Sequence, residues 1–269
     1  MIFNNREINA KKPIIPLQTE NGYTKNRKGR ITNGYIAETG SRFLPFYTLL
    51  YVRRNVASYS MCAGSIIGEK FILSAGHCFE NCIEVFILAG FNSSQIDSFT
   101  FFDQVPSSSV IMHPTYNSTT IANDIALIQL SRSITYGLLL QRIKLPSLMS
   151  NFLNKTGVVS GFGTYSDINP ITSNLLRYTF VTVMNGTMCQ ISYGSSFFRT
   201  EQQLCVDTKG GHSSCSGDSG GPLGIFENSE LTLAGIVSYG SDKGCELGNP
   251  EVYTKVSSYL PWIQNNTNI

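Results

Sequence analysis

The chain has 269 residues, with 20 Lys plus Arg against 18 Asp plus Glu, a net charge of +2. That near balance gives no support to a nucleic-acid or polybasic-membrane partner, and no apolar run reaches the ~18 residues of a membrane-spanning helix. Charged residues are 14% of the chain, Gly numbers 24, and Ser, Thr and Asn recur between short apolar stretches. This composition predicts a soluble protein of short strands and many turns rather than long helices.

In chain order, residues 1–30 stand apart. They carry seven basic residues (Arg6, Lys11, Lys12, Lys25, Arg27, Lys28, Arg30) against Glu7 and Glu20, with Pro13 and Pro16 and no amphipathic period. They read as a flexible leader. No apolar core of the ~7–15 residues that a secretory signal needs stands near Met1, so a signal removed, or a start placed elsewhere, is expected. Strands are then predicted at 46–52, 66–74, 83–89, 125–130, 176–183 and 231–238, each rich in β-branched and aromatic side chains. A hairpin turn is placed at Gly68-Glu69. A short helical turn falls around Thr187–Ile191, and a C-terminal helix, capped by Ser257 or Ser258, runs through Trp262. Lys144-Leu145-Pro146-Ser147 reads as the crossing between two halves, near 144–150. Together these elements predict an all-β sandwich or barrel.

Seven cysteines, at 62, 78, 82, 189, 205, 215 and 245, include no C-x-x-C pair, and His77, His113 and His212 lack zinc-finger spacing. Disulfides are the better reading, and they imply an oxidising, secretory compartment. Sequons at Asn92, Asn117, Asn154, Asn185 and Asn265 point the same way. Seven is odd, so at least one thiol is left over.

Three stretches carry chemistry. In Gly217-Asp218-Ser219-Gly220-Gly221-Pro222, a serine between small residues presents its hydroxyl without cover, and neighbouring N–H groups can converge on a developing oxyanion. In Ala75-Gly76-His77-Cys78, a histidine closes a strand. In Asn123-Asp124-Ile125-Ala126-Leu127, an acid heads an apolar strand, where burial demands a partner such as a ring N–H. Alone, each has a bland reading: a glycine-rich turn, a structural histidine, a capping acid. In the order His, Asp, Ser they supply the base, its orienter and the nucleophile of acyl transfer.

On these motifs residues 31–269 resemble the chymotrypsin/trypsin family of serine endopeptidases. The resemblance implies two packed six-stranded antiparallel β-barrels with a C-terminal helix, and a catalytic cleft between the barrels. It further implies that His77, Asp124 and Ser219 form the triad, that Gly217 and Ser219 N–H groups make the oxyanion hole, and that Ser238 supports the aspartate. Ser213, Gly240 and Glu251 fall on substrate-binding positions. A neutral Ser213 implies cleavage after aromatic and large apolar residues, and an inward Glu251 implies tolerance of Lys or Arg. The other reading has Glu251 turned to solvent or satisfied by the Ser213 and Ser214 hydroxyls.

Family bridges correspond to Cys62–Cys78, Cys189–Cys205 and Cys215–Cys245, leaving Cys82 over. Arg30-Ile31 resembles an activation junction, so a trypsin-like protease is the expected activator and the freed Ile31 amine would pair with Asp218. Protein or peptide substrates and protein inhibitors are the expected partners. No cofactor is implied, and 90–94 lacks the paired acids of the family's calcium loop, so no metal is expected. Two departures are Gly76, usually Ala, and Phe162 within Gly161-Phe162-Gly163, usually Trp.

A non-catalytic homologue that keeps the fold for binding is the rival, but such proteins usually lose a triad member and all three are present. A lipase or esterase is excluded by chain order, since the α/β-hydrolase sequence runs Ser, acid, His.

Overall fold

The computed structural model describes residues 31–56, 58–227 and 229–269. The leader and Arg30 lie outside the described residues. Fourteen strands dominate, and they fall into two seven-stranded antiparallel sheets. In chain order they are β1 Tyr35–Ile36, β2 Tyr47–Arg53, β3 Tyr59–Gly68, β4 Phe71–Ser74, β5 Glu84–Ala89, β6 Phe101–Pro106, β7 Val110–Met112 and β8 Ala126–Gln129. There follow β9 Thr156–Gly161, β10 Arg177–Met184, helix α1 Thr187–Tyr193, β11 Gln203–Asp207, β12 Pro222–Glu227, β13 Glu230–Tyr239, β14 Glu251–Lys255 and helix α2 Leu260–Thr267.

The first sheet has the order β6-β5-β2-β3-β4-β8-β7. The second has the order β1-β10-β11-β14-β13-β12-β9, and an extra β9–β10 pairing closes six of its strands into a ring. The fold is thus the expected all-β pair of barrel-like sheets, with the second closed by hydrogen bonds and the first left as an open, curved sheet. Alternation explains the inward packing. Along β6, Phe101, Asp103 and Val105 are buried while their neighbours are exposed, the period of two that a one-sided strand requires. The buried Asp103 is satisfied by Ser131, whose Oγ and N–H both donate to it, at 2.5 and 2.9 Å. The chain changes sheets at one peptide unit: Ile143 N–H bonds Ile66 of β3, and Lys144 pairs with Thr232 of β13.

Two local expectations need correction. The hairpin turn is Glu69-Lys70, because β3 continues through Gly68 across a bulge at 66–68. The C-terminal helix begins later and ends later than 257–262. A 3-10 turn covers Val256–Tyr259 and the α-helix covers Leu260–Thr267, with no serine capping it. Pro261 fits the first α-helical turn, where an N–H has no partner in any case. Ser258 Oγ is spent on the Glu201 carbonyl, and Asn268, left-handed at φ 57°, stops the helix. Among the described residues, no helix is long and apolar enough to cross a membrane.

Candidate active site

Strand register brings the first two chemical groups together. β4 and β8 are antiparallel, with Ser74 opposite Ala126. The residues just after β4 therefore lie beside those just before β8. His77 sits in the 3-10 turn Gly76–Phe79 that follows β4, and Asp124 stands two residues ahead of β8. The His77 ring Nδ1 is 2.8 Å from Asp124 Oδ2, and the His77 backbone N–H donates to Oδ1 at 2.8 Å. Ser238 Oγ adds a donor to Oδ2 at 2.6 Å, and Thr254 Oγ1 donates to the Asp124 carbonyl at 2.7 Å.

Asp124 is 1% exposed, so it has exchanged water for fixed donors from both sheets. Burial alone would lower the His77 pKa, but the charge and hydrogen bond of Asp124 outweigh it, with Glu80 adding and Arg54 opposing. The net shift is upward. An imidazole that gains a proton readily, with one nitrogen fixed on a carboxylate, suits a general base.

Ser219 arrives from the second sheet, in the turn before β12. Its carbonyl accepts from Ala63 N–H at 2.7 Å and lies 3.7 Å from Cys78 Sγ, next to His77. Gly220 fits against the histidine strand so closely that a Cβ there would come within 2.2 Å of Ser74 Oγ and 2.4 Å of the Ala63 carbonyl. Among the described residues no hydrogen bond joins Ser219 Oγ to His77 Nε2, and neither Gly217 nor Ser219 donates its backbone N–H to a protein acceptor. Gly217 has φ +97°, a left-handed conformation open to glycine. A substrate carbonyl could occupy the space these two N–H groups leave unfilled.

Asp218 is completely buried, accepting N–H groups of Gly163 at 2.8 Å and Cys215 at 3.0 Å. Two glycines make room for it: a Cβ on Gly161 would lie 1.9 Å from Oδ1, and one on Gly163 would lie 2.6 Å from it. Burial raises the carboxyl to about 7 against the pull of both N–H groups. Among the described residues it has no cationic partner. Ile31 is also buried, at 1% exposure. The next residue, Thr32, pairs with Ser213, and its Oγ1 lies 2.8 Å from Ser213 Oγ.

The Ser213 hydroxyl donates to the Cys245 carbonyl at 2.7 Å. Glu251, 7% exposed, lies under Gly240: a Cβ on Gly240 would be 3.6 Å from Glu251 Oε1. Its other oxygen accepts Ser214 Oγ–H at 3.0 Å, Ser214 N–H at 3.3 Å and the Tyr253 phenol at 3.1 Å. Burial pushes this carboxyl up to about 8, although those donors oppose it.

Disulfides join Cys62–Cys78, Cys189–Cys205 and Cys215–Cys245, and Cys82 is free and half-buried. The Cys215–Cys245 bridge ties the turn before Ser219 to the loop after β13. Asp167 and Glu246 brace the same loop: Asp167 accepts the N–H groups of Cys245 and Glu246, and Glu246 accepts that of Asp167.

Sequence reasoning missed four contributors: Thr254, Tyr253, and the glycines at 161 and 163. Tyr253 was findable, since it follows Glu251 by two on one strand and so shares its face. The glycine contacts with Asp218 span 55 residues or more and leave no local signal.

Residues 31–263 match the family described as Trypsin. Over 246 residues the chain is 36% identical to a collagenase of Hypoderma lineatum, covering 90% of this chain and 89% of that one. It is 34% identical over 242 residues to a chymotrypsin of Phaedon cochleariae, covering 88% and 82%. The solved structure of HL collagenase superposes with a TM-score of 0.78 at 33% identity, covering 88% of this chain and 99% of that one. With the fold and these relatives, the class is a serine endopeptidase, and the chain belongs to the trypsin family.

Proposed function

We propose that this chain is a secreted endopeptidase that cleaves polypeptides through an acyl-enzyme on Ser219. Ser219 Oγ forms a bond to the scissile carbonyl carbon while its proton passes to His77 Nε2. The Gly217 and Ser219 N–H groups hold the resulting oxyanion. The C–N bond then breaks as His77 returns the proton to the leaving amine, and water repeats the sequence to free the acid. The observation that carries this reading is the saturation of Asp124: His77, Ser238 and Thr254 fix its carboxylate and carbonyl, which supports a ring tautomer with Nδ1–H on the carboxylate and Nε2 left to act as the base.

Cleavage after Arg30 by a trypsin-like enzyme activates the chain, supplying the Ile31 ammonium to Asp218. The full burial of Asp218 without a cation among the described residues supports that step, since a buried carboxylate needs compensation. The residue before the scissile bond is aromatic or large and apolar, with secondary tolerance of Lys or Arg through Glu251 Oε1. Protein inhibitors that fill the same cleft are the remaining partner class. Secretion is supported by the three bridges and by five exposed sequon asparagines.

A mechanism-based serine reagent tests the reading. Activated protein should be labelled at Ser219, with Ile31 as the new N-terminus of the active species. Activity of a clean Ser219→Ala preparation within about tenfold of the parent would end the catalytic assignment. An active species that still begins upstream of Ile31 would end the activation step.

A further inference from the structure

The outer face of the first sheet carries a stripe of aromatic rings. Tyr59 of β3, Phe86 of β5, Phe102 of β6 and Phe99 beyond it follow one another at ring separations of 5.9, 6.3 and 6.4 Å. Three of the four are more than a third exposed: Tyr59 54%, Phe102 41% and Phe99 37%. Single exposed apolar residues are ordinary, whereas contiguous ones mark a surface that meets something.

The stripe is continuous with the catalytic turn. In register, Met61 of β3 lies opposite Tyr51 of β2, and Tyr51 opposite Phe86. At its inner end, a Cβ on Gly217 would be 3.3 Å from Met61 Sδ. The path therefore starts beside an N–H proposed to hold the oxyanion. It leaves on the side of the Cys62–Cys78 bridge, away from Glu251 and Gly240. In the proposed reaction the Glu251–Gly240 side takes the residue before the scissile bond, so the chain beyond that bond leaves toward the first sheet, where the stripe lies.

The stripe's charges cancel internally. Arg53 pairs with Glu84 at 2.6 Å, and Gln104 Nε2 donates to the second Glu84 oxygen at 2.8 Å. Arg54 is turned to the carbonyls of Cys78 and Glu80. Among the described residues the remaining charges lie at the outer end, one of each sign: Arg132, whose guanidinium donates to the Phe102 carbonyl and covers the Phe101 ring, and the exposed Asp97. Adjacent strands are ~4.8 Å apart, so β3 to β6 is ~14 Å, the span of about four residues of extended chain.

We propose that this stripe is a substrate-binding surface for the leaving-group side of the polypeptide, selecting apolar, uncharged segments about three to six residues past the scissile bond. The inference rests on the endopeptidase reading above. It adds a second determinant of specificity, independent of the pocket.

The test compares peptides that share Phe before the scissile bond and two residues after it. They then carry either a Val-Pro-Ile tail, which offers no second aromatic cleavage site, or a Gly-Ser-Gly tail. Protein activated by cleavage after Arg30 should cut the apolar-tailed peptide with kcat/KM about tenfold higher, the gain from part-burying one large side chain. A Phe86→Ser/Phe102→Ser variant should bring the two peptides level while cutting the Gly-Ser-Gly peptide at the parental rate, which also shows that it folds. Phe102→Ser alone, at a more exposed edge position, should remove part of the gain.

Equal rates for the two tails in the parent, or an undiminished ratio in the double variant, would overturn the proposal and leave the endopeptidase reading intact. A parent dimer in sedimentation that the double substitution disperses would assign the stripe to a second copy instead. Failure to cut either peptide, and to react with the serine reagent, would overturn the endopeptidase reading itself and this inference with it.

Discussion

Asp124 gathers donors from both sheets, so its substitution should separate geometry from chemistry. Asp124→Asn keeps the size but places an NH2 at Oδ2, where His77 Nδ1–H needs an acceptor and where the Ser238 hydroxyl must turn from donor to acceptor. Turnover should fall on the order of 10⁴-fold through the wrong imidazole tautomer, with substrate KM and reagent-free stability little changed. Steady-state kinetics with a denaturation curve would check both halves. Glu251 makes a different prediction. Its carboxyl, raised to about 8 by burial, is mostly neutral at neutral pH and becomes charged as pH rises through that value. The kcat/KM ratio for Lys over Phe substrates should therefore climb on the order of tenfold from roughly pH 6 to roughly pH 9. The ratio cancels the titration of His77, which both substrates share, and Glu251→Gln should flatten it. A flat ratio in the parent would mean that Oε1 never meets the substrate. The sequence singles out Glu251, yet it could not show how its two oxygens divide. Oε2 is spent on Ser214 and Tyr253, while Oε1 lies under Gly240.

At the scale of elements, strands that mix β-branched, aromatic and aliphatic residues were legible, such as β2 and β5, because their residues need only a pleated, half-buried surface. β12 was not, since it opens on Pro222 and contains Gly224, and its place is set by pairing with β9 and β13. The helix ends failed for a related reason: Ser258 was read as a cap but is claimed by Glu201, a residue 57 positions away. Loop order, too, is a long-range property. Cys215–Cys245 closes 30 residues of separation and, with the Asp167–Glu246 contacts, holds the loop beyond β13 against the nucleophile turn. Replacing both cysteines by serine should destabilise the protein by roughly 2–5 kcal/mol. It should also raise KM for substrates with a large residue before the scissile bond more than it lowers kcat. Reduced KM-dependence together with an unchanged denaturation midpoint would show that the bridge is redundant with the carboxylate brace.

For the whole molecule, three groups of the candidate site act in one direction on stability, opposed among the described residues only by the half-exposed His113, whose pKa burial lowers. His77, Asp218 and Glu251 all have folded pKa values above their ordinary ones. Each folded-state group binds its proton more tightly than the unfolded chain does. Each contribution is thus complete below the unfolded pKa and lost as pH rises through the folded value. For the two carboxyls that window runs from the ordinary carboxylate range up to about 7 and about 8. The uncleaved single chain should melt at a higher temperature near pH 5 than near pH 9. A Ser219→Ala sample measured by calorimetry avoids self-digestion. Activation should change the slope, because an ammonium beside Asp218 lowers that carboxyl's pKa and removes its share of the pH dependence. Identical slopes before and after cleavage would place the Ile31 amine elsewhere.

The packing around Asp218 bears on which sequences this chain can explore. Gly161 and Gly163 frame a carboxylate that a single added carbon would strike, at 1.9 Å from one side and 2.6 Å from the other. Neither glycine touches substrate in the proposed reaction, yet both should be as intolerant of exchange as the nucleophile itself, because relief would require moving Asp218 and with it the Ser219 turn. In a population of variants sorted for proteolysis, the two positions would be swept clean alongside Ser219. Sorted for expression alone, Ser219 would drift freely while the glycines stayed fixed. Selection for folding alone thus leaves the chain least free behind the site, and selection for proteolysis extends that constraint into it.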